Sequence, residues 1–217
     1  MAGKLGLQIR RDLTFYETSH RASAFRNVHE GKTGIVLGNG ESRLAYDLFE
    51  LDPDGVVLFA CNAYYRDVLA GKQPPCAYLG AVDRQISKEI VDSGWVDDNW
   101  TLLVPANLKK MRPPANPPPR LIEFDYNANF NCGIEMVQFA LLTGCSPVVL
   151  MGFDGSEPTN VNNVYKGTPC YSDEKSCKTR VTTWQLSVVA DKTSTSIYRI
   201  GSVLEFDEID FKELPRR

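Results

Sequence analysis

The sequence has no apolar run of the roughly 18–20 residues that a membrane-spanning helix needs. Its opening, MAGKLGLQIRRDL, also lacks the apolar core of a signal peptide. The net charge is only −3, so there is no positive field to attract nucleic acid or an anionic membrane. These absences predict a cytoplasmic protein without a membrane span or a nucleic-acid signature, and they leave its oligomeric state open, a homo-oligomer included.

Histidine and paired cysteines are scarce as well. The only two histidines, His20 and His29, precede the first predicted strand, so we expect structural or surface roles for both. None of the six cysteines forms a C-x-x-C pair, which disfavours a zinc or dithiol redox site. We expect reduced, structural thiols, as is usual in the cytosol. Cys170 and Cys177, which bracket a polar loop, are the best candidates for a disulfide or metal pair.

Strands and helices alternate along the chain. A length of 217 residues with 43% hydrophobic residues suits one domain, residues 1–217, with an N-terminal arm over 1–30. Short apolar runs read as buried strands, and a helix-forming or polar segment follows each of them. The pattern predicts a single α/β Rossmann-like domain, a mainly parallel sheet with helices on both faces. The predicted strands are TGIVL, VVLFACN (56–62), CAYLGAV (76–82), TLLVPA (101–106), RLIEF (120–124), PVVLM and TSIYRIGS.

One predicted helix follows the TGIVL strand, and another precedes the PVVLM strand. The segment ESRLAYDLFEL, with Leu44, Leu48 and Leu51 on one face, predicts a helix after the first strand. The segment CGIEMVQFALLTG predicts a longer helix that ends at Gly144.

The chain turns polar after the PVVLMGFD segment. Residues 155–180 are long for a structureless connection in a compact domain, so we expect a lid. Residues 181–191 predict a helix with Trp184 and Val188 directed inward. The tail FDEIDFKELPRR predicts a peripheral helix or a sheet edge.

Polar and glycine residues follow several predicted strands. Parallel sheets bind ligands beyond the carboxyl ends of their strands, near a switch in strand order. We therefore predict a nucleotide site there. Its expected residues are Gly38, Asn39, Gly40 and Ser42 after the first strand, Asn62 after the second, Asp83 after the third and Asp154 after PVVLM.

The residue types fit nucleotide chemistry. Glycines let a phosphate approach the backbone, and the N-terminus of the following helix would offer unpaired N–H groups to it. The amides of Asn39 and Asn62 both donate and accept, which suits a base or a ribose. Asn131, Cys132 and Gly133 open the long helix and form a second candidate for ligand contact, although Asn131 could equally be a helix cap.

Two carboxylates are candidates for catalysis. Asp83 and Asp154 could ligate Mg²⁺, orient a hydroxyl or act as a base, and whether a metal is bound stays open. No histidine follows residue 29. An acid–base role therefore falls to a carboxylate, and we expect Asp154 to be the catalytic residue.

The segment FRNVHEGKTGIVLGNGES resembles the start of the MptE-like family (6-hydroxymethylpterin diphosphokinase-like), and the Gly-Asn-Gly loop is similar to that of the family 42 sialyltransferases. The similarity continues in the same order over roughly residues 25–170. Cys61-Asn62 with Tyr64-Tyr65 resembles their Cys-Asn-x-x-Tyr stretch, and NCGIEMVQFALLTGCSPVVLMGFD resembles their Thr-Ser-Gly helix and the strand after it.

The resemblance implies a Rossmann-like domain that binds a nucleotide or nucleotide-sugar. It makes Asn39 and Asn62 nucleotide contacts, places Cys132 where the family has a contacting serine, and matches Tyr165 in the lid to a phosphate-binding tyrosine. Glu41 stands where the family has proline, and the histidine base that follows the lid in the sialyltransferases has no counterpart.

Three functions follow from these patterns. The first is a glycosyltransferase that moves a sugar from a nucleotide-sugar to a hydroxyl of a small-molecule or glycan acceptor. The second is a Mg²⁺-dependent pyrophosphokinase of the 6-hydroxymethylpterin diphosphokinase type, in which Asp83 and Asp154 hold the metal. The third is a non-catalytic nucleotide-binding module.

Overall fold

The computed structural model describes residues 22–93, 101–105, 121–124, 131–155, 161–171, 179–201 and 205–217. Within these ranges the chain forms one sheet of eight strands in the order β5-β4-β3-β2-β1-β6-β7-β8. Every neighbouring pair is parallel. The strands are β1 Thr33–Leu37, β2 Val56–Cys61, β3 Tyr78–Gly80, β4 Thr101–Pro105, β5 Leu121–Phe124, β6 Val148–Met151, β7 Ile197–Ile200 and β8 Asp207–Glu208.

The central strands are apolar along their whole length because both faces of the sheet are covered. In β1, Val36 points into one core, whereas Ile35 and Leu37 point into the other. The first core contains helix α3 (Cys132–Leu142) and helix α4 (Thr179–Ala190). The second contains helix α1 (Tyr64–Leu69) and helix α2 (Arg84–Asp92). The predicted Rossmann-like α/β fold is confirmed.

The strand order reverses between β1 and β6. Strands β2 to β5 extend the sheet on one side of β1, and β6 to β8 extend it on the other. Connections therefore leave β1 and β6 in opposite directions and open a crevice beyond their carboxyl ends, at Leu37 and Met151. This crevice is where the sheet topology favours a ligand.

The helix predicted over ESRLAYDLFEL is wrong. The segment forms two short 3₁₀ turns, Glu41–Ala45 and Leu48–Glu50, separated by the extended residue Tyr46. The second turn starts separately because the carboxylate of Asp47 accepts the N–H of Phe49. Leu44 is 60% exposed and does not share a buried face with Leu48 and Leu51.

The prediction for Trp184 is also wrong, since this side chain is 39% exposed. Helix α4 begins at Thr179, and its inward face carries Thr182, Gln185, Leu186 and Val189 at i, i+3, i+4 and i+7. Trp184 falls outside that spacing. Val188, by contrast, packs against the first core as expected.

The two ends of the described chain pack on the sheet. Phe25, in the 3₁₀ turn Ala22–Phe25, lies 5.6 Å from the ring of Phe139. The tail was predicted to form either a peripheral helix or a sheet edge, and Asp207–Glu208 forms an edge strand. Most of the predicted arm, including His20, lies outside the described residues. In the ranges given above, no helix has the length and apolarity to cross a bilayer.

His29 lies at the amino end of β3, away from the crevice. Its Nε2 is 2.7 Å from the hydroxyl of Tyr78, and the imidazole is half-buried. Burial and the nearby charge of Lys32 lower the pKa of His29 below its ordinary value of 6.5. The native state therefore favours the neutral imidazole.

This shift predicts a pH-dependent stability. Below pH 6.5, His29 binds a proton more readily in the unfolded chain than in the native protein. The free energy of unfolding therefore decreases as the pH is lowered. We expect the stability advantage of the wild type over His29→Gln to shrink between about pH 7 and pH 5, as measured by urea unfolding. Lys32→Gln should weaken this dependence. A pH-independent difference would contradict the assignment.

Candidate active site

A cavity of about 300 Å³ opens at the carboxyl edge of the sheet, at the switch between β1 and β6. It is lined by residues from the ends of β1, β2 and β6, from the start of α3, and from the segment 161–171. The lining residues are Gly38, Asn39, Gly40, Cys61, Asn62, Asn131, Cys132, Gly133, Gly152, Phe153, Gly155, Asn162, Asn163, Tyr171 and Thr182.

The structure brings most of the sequence-predicted binding residues into this cavity. They come from positions nearly one hundred residues apart, and the parallel sheet aligns the strand ends that carry them. Those in the lining are Gly38, Asn39, Gly40, Asn62, Asn131, Cys132 and Gly133.

The loops after β1 and β6 pack backbone against backbone. The N–H of Gly40 donates to the carbonyl of Gly152 at 2.8 Å. A Cβ on Gly38 would lie 2.3 Å from that same carbonyl oxygen, and one on Gly40 would lie 2.5 Å from Asp154 Oδ2. These glycines are therefore required by contact between the two loops, whereas the sequence suggested that they make room for a phosphate.

The N–H groups predicted to bind phosphate already have partners. The N–H of Glu41 donates to Asn162 Oδ1 at 2.7 Å, and that of Ser42 donates to Asp154 Oδ2 at 2.8 Å. The hydroxyl of Ser42 also donates to Asp154, at Oδ1. Asp154 is 8% exposed and does not line the cavity, so its carboxylate ties the end of β6 to the loop after β1.

Two asparagine oxygens in the cavity have no partner among the described residues. The Oδ1 atoms of Asn39 and Asn62 are buried, and neither accepts a hydrogen bond from the part of the chain that the structure describes. Asn62 also has a left-handed backbone, with φ of 55°, which costs free energy in residues other than glycine and is least unfavourable in asparagine and aspartate. Buried polar atoms are ordinarily satisfied, and an ordered water or a ligand with N–H or O–H donors would satisfy these two oxygens.

Helix α3 begins at the wall of the cavity. Asn131 caps it, because its Oδ1 accepts the N–H of Ile134 at 3.1 Å while its Nδ2 donates to Thr182 at 3.2 Å. The N–H groups of Cys132 and Gly133 belong to the first turn, which a helix cannot pair internally. They are available to an anionic ligand, and the helix dipole favours one there.

The cysteines of the cavity are buried thiols. Burial raises the pKa of Cys132 well above its ordinary value, and the adjacent thiol of Cys61 raises it further. Cys61 donates to the carbonyl of Leu37 at 3.1 Å. The thiol of Cys132 is therefore protonated at neutral pH. Cys170 is an exposed free thiol, and its proposed partner Cys177 lies outside the described residues.

Tyr165 and Asp83 lie outside the cavity lining. The hydroxyl of Tyr165 donates to Asp67 at 2.6 Å and accepts from Arg43 at 2.8 Å, and the side chain is 4% exposed. Asp83 is exposed and accepts the N–H of Gln85 at 2.7 Å, at the start of α2.

The segment 161–171 contributes three lining residues that the sequence did not single out, Asn162, Asn163 and Tyr171. The hydroxyl oxygen of Tyr171 accepts the N–H of Ala63 at 3.3 Å, which leaves its proton free for a ligand. The amide-rich run Asn-Val-Asn-Asn in a long polar loop was the signal available. The described part of the predicted lid therefore forms a wall of the cavity.

The lining carries no charged side chain among the described residues. The same ranges contain no group of three or more His, Cys, Asp and Glu side chains that could hold a metal. Mg²⁺ prefers carboxylate oxygens, and the two predicted ligands Asp83 and Asp154 both lie outside the lining. The described residues therefore do not fit a Mg²⁺ site at this cavity.

An open parallel sheet with a polar cavity at its switch point is the architecture of a Rossmann-like domain. No protein-family model matches the chain, and no curated protein matches it. Solved structures do. The MAf glycosyltransferase from Magnetospirillum magneticum AMB-1 is similar with a TM-score of 0.54 and 13% identity over 90% of this chain. The match spans only 38% of that protein.

Two sialyltransferases from Campylobacter jejuni are similar over most of their length. The monofunctional α-2,3-sialyltransferase Cst-I matches with a TM-score of 0.51 and 15% identity, over 85% of this chain and 80% of its own. The sialyltransferase CstII, solved with the substrate analogue CMP-3FNeuAc, matches with a TM-score of 0.50 and 16% identity, over 82% and 86%. The chain has the fold of these glycosyltransferases, which confirms the predicted similarity to sialyltransferases for the fold. The similarity to the diphosphokinase-like family stays a prediction.

Because the two loops touch, adding one methyl group at Gly38 should destabilise the protein strongly. Gly38→Ala places a Cβ against the carbonyl of Gly152, so we expect the free energy of unfolding to decrease by about 3 kcal/mol, at the upper end of the range for overpacking. Gly31→Ala is the matched control, because Gly31 has a φ of 81° but no atom near its Cβ position. It should cost about 1 kcal/mol. Equal losses in urea unfolding would refute the steric argument.

Proposed function

We propose that the chain is a glycosyltransferase that binds a nucleotide-sugar donor in the switch-point cavity and transfers the sugar to an acceptor hydroxyl. The observation that carries the proposal is the pair of buried, unpartnered amide oxygens of Asn39 and Asn62. They lie at the ends of β1 and β2, which are neighbours in the sheet. The hydroxyls of a ribose or the amino group of a base would satisfy them.

A single phosphate suits the rest of the cavity. The donors available to it are neutral: the first-turn N–H groups at Cys132 and Gly133, and the proton of the Tyr171 hydroxyl. Without a cation, burying the several charges of a triphosphate would be costly. A nucleoside monophosphate linked to a sugar is therefore favoured, and CMP is the natural first probe because CstII was solved with a CMP-sugar analogue.

The alternatives receive less support. A pyrophosphokinase needs Mg²⁺ held by carboxylates, yet the carboxylate of Asp154 is engaged by Ser42 and Asp83 lies outside the cavity. No observation favours this reaction over sugar transfer. A non-catalytic nucleotide-binding module would use the same cavity, and only an assay of transfer separates it from the enzyme.

CMP binding is the first test. We expect CMP to raise the melting temperature without Mg²⁺, because a ligand of the native state stabilises it by mass action. Asn39→Ala and Asn62→Gly should each weaken CMP binding about tenfold or more in calorimetry, the effect of losing one buried hydrogen bond. Glycine is chosen at position 62 because it tolerates the left-handed backbone.

Gln73→Ala is the control for these variants. Gln73 also has a buried amide oxygen without a partner, but it does not line the cavity. Its loss should leave the CMP affinity unchanged. If all three variants bind CMP as tightly as the wild type, the nucleotide lies elsewhere. A requirement for Mg²⁺ and ATP would favour the pyrophosphokinase.

We retain Asp154 as the proposed base. Its carboxylate accepts two hydrogen bonds from Ser42 and lies outside the cavity lining, so the test must separate loss of a base from loss of the Ser42 contact. If Asp154 takes the proton of the acceptor, Asp154→Asn should lose roughly 10²–10⁴ in turnover and keep CMP affinity within about tenfold. Ser42→Ala removes the hydroxyl contact and should leave most of the turnover. Should both variants instead lose CMP affinity to the same extent with little further change in turnover, Asp154 only holds the loop.

A further inference from the structure

Arg43 is a buried cation beside the cavity. Its side chain is 1% exposed, and it lies one residue beyond the loop Gly38–Ser42. The guanidinium lies over the rings of Tyr64 and Tyr165, with Cζ 5.2 Å and 5.4 Å from the two ring centres. Burying a guanidinium among aromatic rings is costly unless its charge is compensated.

One carboxylate and one hydroxyl compensate this charge. A single nitrogen of Arg43, Nη2, donates to Asp67 Oδ2 and to the hydroxyl of Tyr165, both at 2.8 Å. Burial raises the pKa of Tyr165, so its hydroxyl keeps its proton and donates it to Asp67 at 2.6 Å. The three side chains thus form a closed triangle of hydrogen bonds.

The triangle does not satisfy the arginine. Nε and Nη1 of Arg43 are buried and have no hydrogen-bond partner within the described ranges. Unpaired buried donors oppose folding, and a buried ion pair adds little net stability. Stability alone therefore does not explain why an arginine occupies this position. The contacts of Arg43 indicate a different role.

The contacts of Arg43 join three walls of the cavity. Arg43 itself follows the glycine loop, Asp67 belongs to helix α1 directly after Asn62, and Tyr165 belongs to the segment 161–171. That segment carries three lining residues, Asn162, Asn163 and Tyr171.

Other contacts between the segment and its surroundings are more exposed. Lys166 pairs with Glu41, and both side chains are nearly half exposed. Arg66 donates to Thr168 and to the carbonyl of Pro169, in contacts that are open to solvent. Exposed ion pairs contribute little in water, so the buried triangle is the strongest side-chain anchor of the segment.

We infer that Arg43, through Asp67 and Tyr165, is a positioning residue that holds the segment 161–171 against the cavity, so that Tyr171, Asn162 and Asn163 are in place before a nucleotide arrives. This inference depends on the proposed function only for the choice of CMP as the probe. The anchoring itself does not require that any nucleotide binds.

Hydrogen exchange on the ligand-free protein tests the anchoring. The N–H of Val164, bonded to the carbonyl of Asn39 at 2.8 Å, reports on the docked segment. In Arg43→Met we expect the amides of 161–171 to exchange at least about tenfold faster, while the amides of β6 keep their rates. CMP binding should weaken by a similar factor.

Two further variants keep the test decisive. Tyr165→Phe retains the ring and removes only the hydroxyl, so it serves if Arg43→Met fails to fold, and its exchange should be several-fold faster in the same segment. Arg199→Met is the matched control, because Arg199 is a half-buried arginine on β7, 3.1 Å from Glu208, and it should leave the segment unchanged.

The outcomes separate this inference from the proposed function. Unchanged exchange in 161–171 in a folded Tyr165→Phe or Arg43→Met protein would overturn the anchoring. Faster exchange with an unaltered CMP affinity would overturn the positioning role. If neither the wild type nor any variant binds CMP, the proposed donor fails, whereas the exchange rates still decide whether Arg43 anchors the segment.

Discussion

The close contact between the loops that leave β1 and β6 is the constraint on which the rest of the site depends. Parallel strands bring Leu37 and Met151 side by side, and the chain must then diverge in opposite directions. Gly38 and Gly152 allow the two backbones to touch where they part, since a Cβ on either would collide with the other loop. Asp154 then holds Ser42 by two hydrogen bonds.

This contact accounts for the glycines of the Gly-Asn-Gly loop. In many nucleotide-binding domains, glycines and a helix N-terminus together hold phosphate. Here the glycines face another loop, and the first N–H groups of the short turn after them donate to Asn162 and Asp154. The loop instead presents the amide of Asn39, beside that of Asn62, while α3 supplies the free helix N-terminus. The result is a cavity without charged side chains among the described residues, lined by asparagine amides, glycine backbone, buried thiols and the side chains of Phe153, Tyr171 and Thr182.

The cavity is completed by a segment far from it in sequence. Residues 161–171 follow the last strand of the switch point, and they return across the glycine loop to place Tyr171 near the end of β2. The hydrogen bond from Val164 to Asn39 and the buried group of Arg43, Asp67 and Tyr165 link this segment to two other walls. Hydrogen bonds and an ion pair therefore join the walls of the cavity, although their side chains come from separate elements.

The sequence by itself determined the parallel α/β sheet and the edge that carries the site, because uniformly apolar short strands and polar strand ends are local patterns. It thereby predicted that Asn39, Asn62 and the start of α3 lie together at this edge, and all of them line the cavity. Only the tertiary structure decided which polar groups remain free. Ser42, Asp154 and Tyr165 are as polar as Asn39, yet each bonds to a residue 98 or more positions away. Such long-range pairing leaves no local signal, so a sequence predicts where polar groups gather and cannot tell which of them still need a partner.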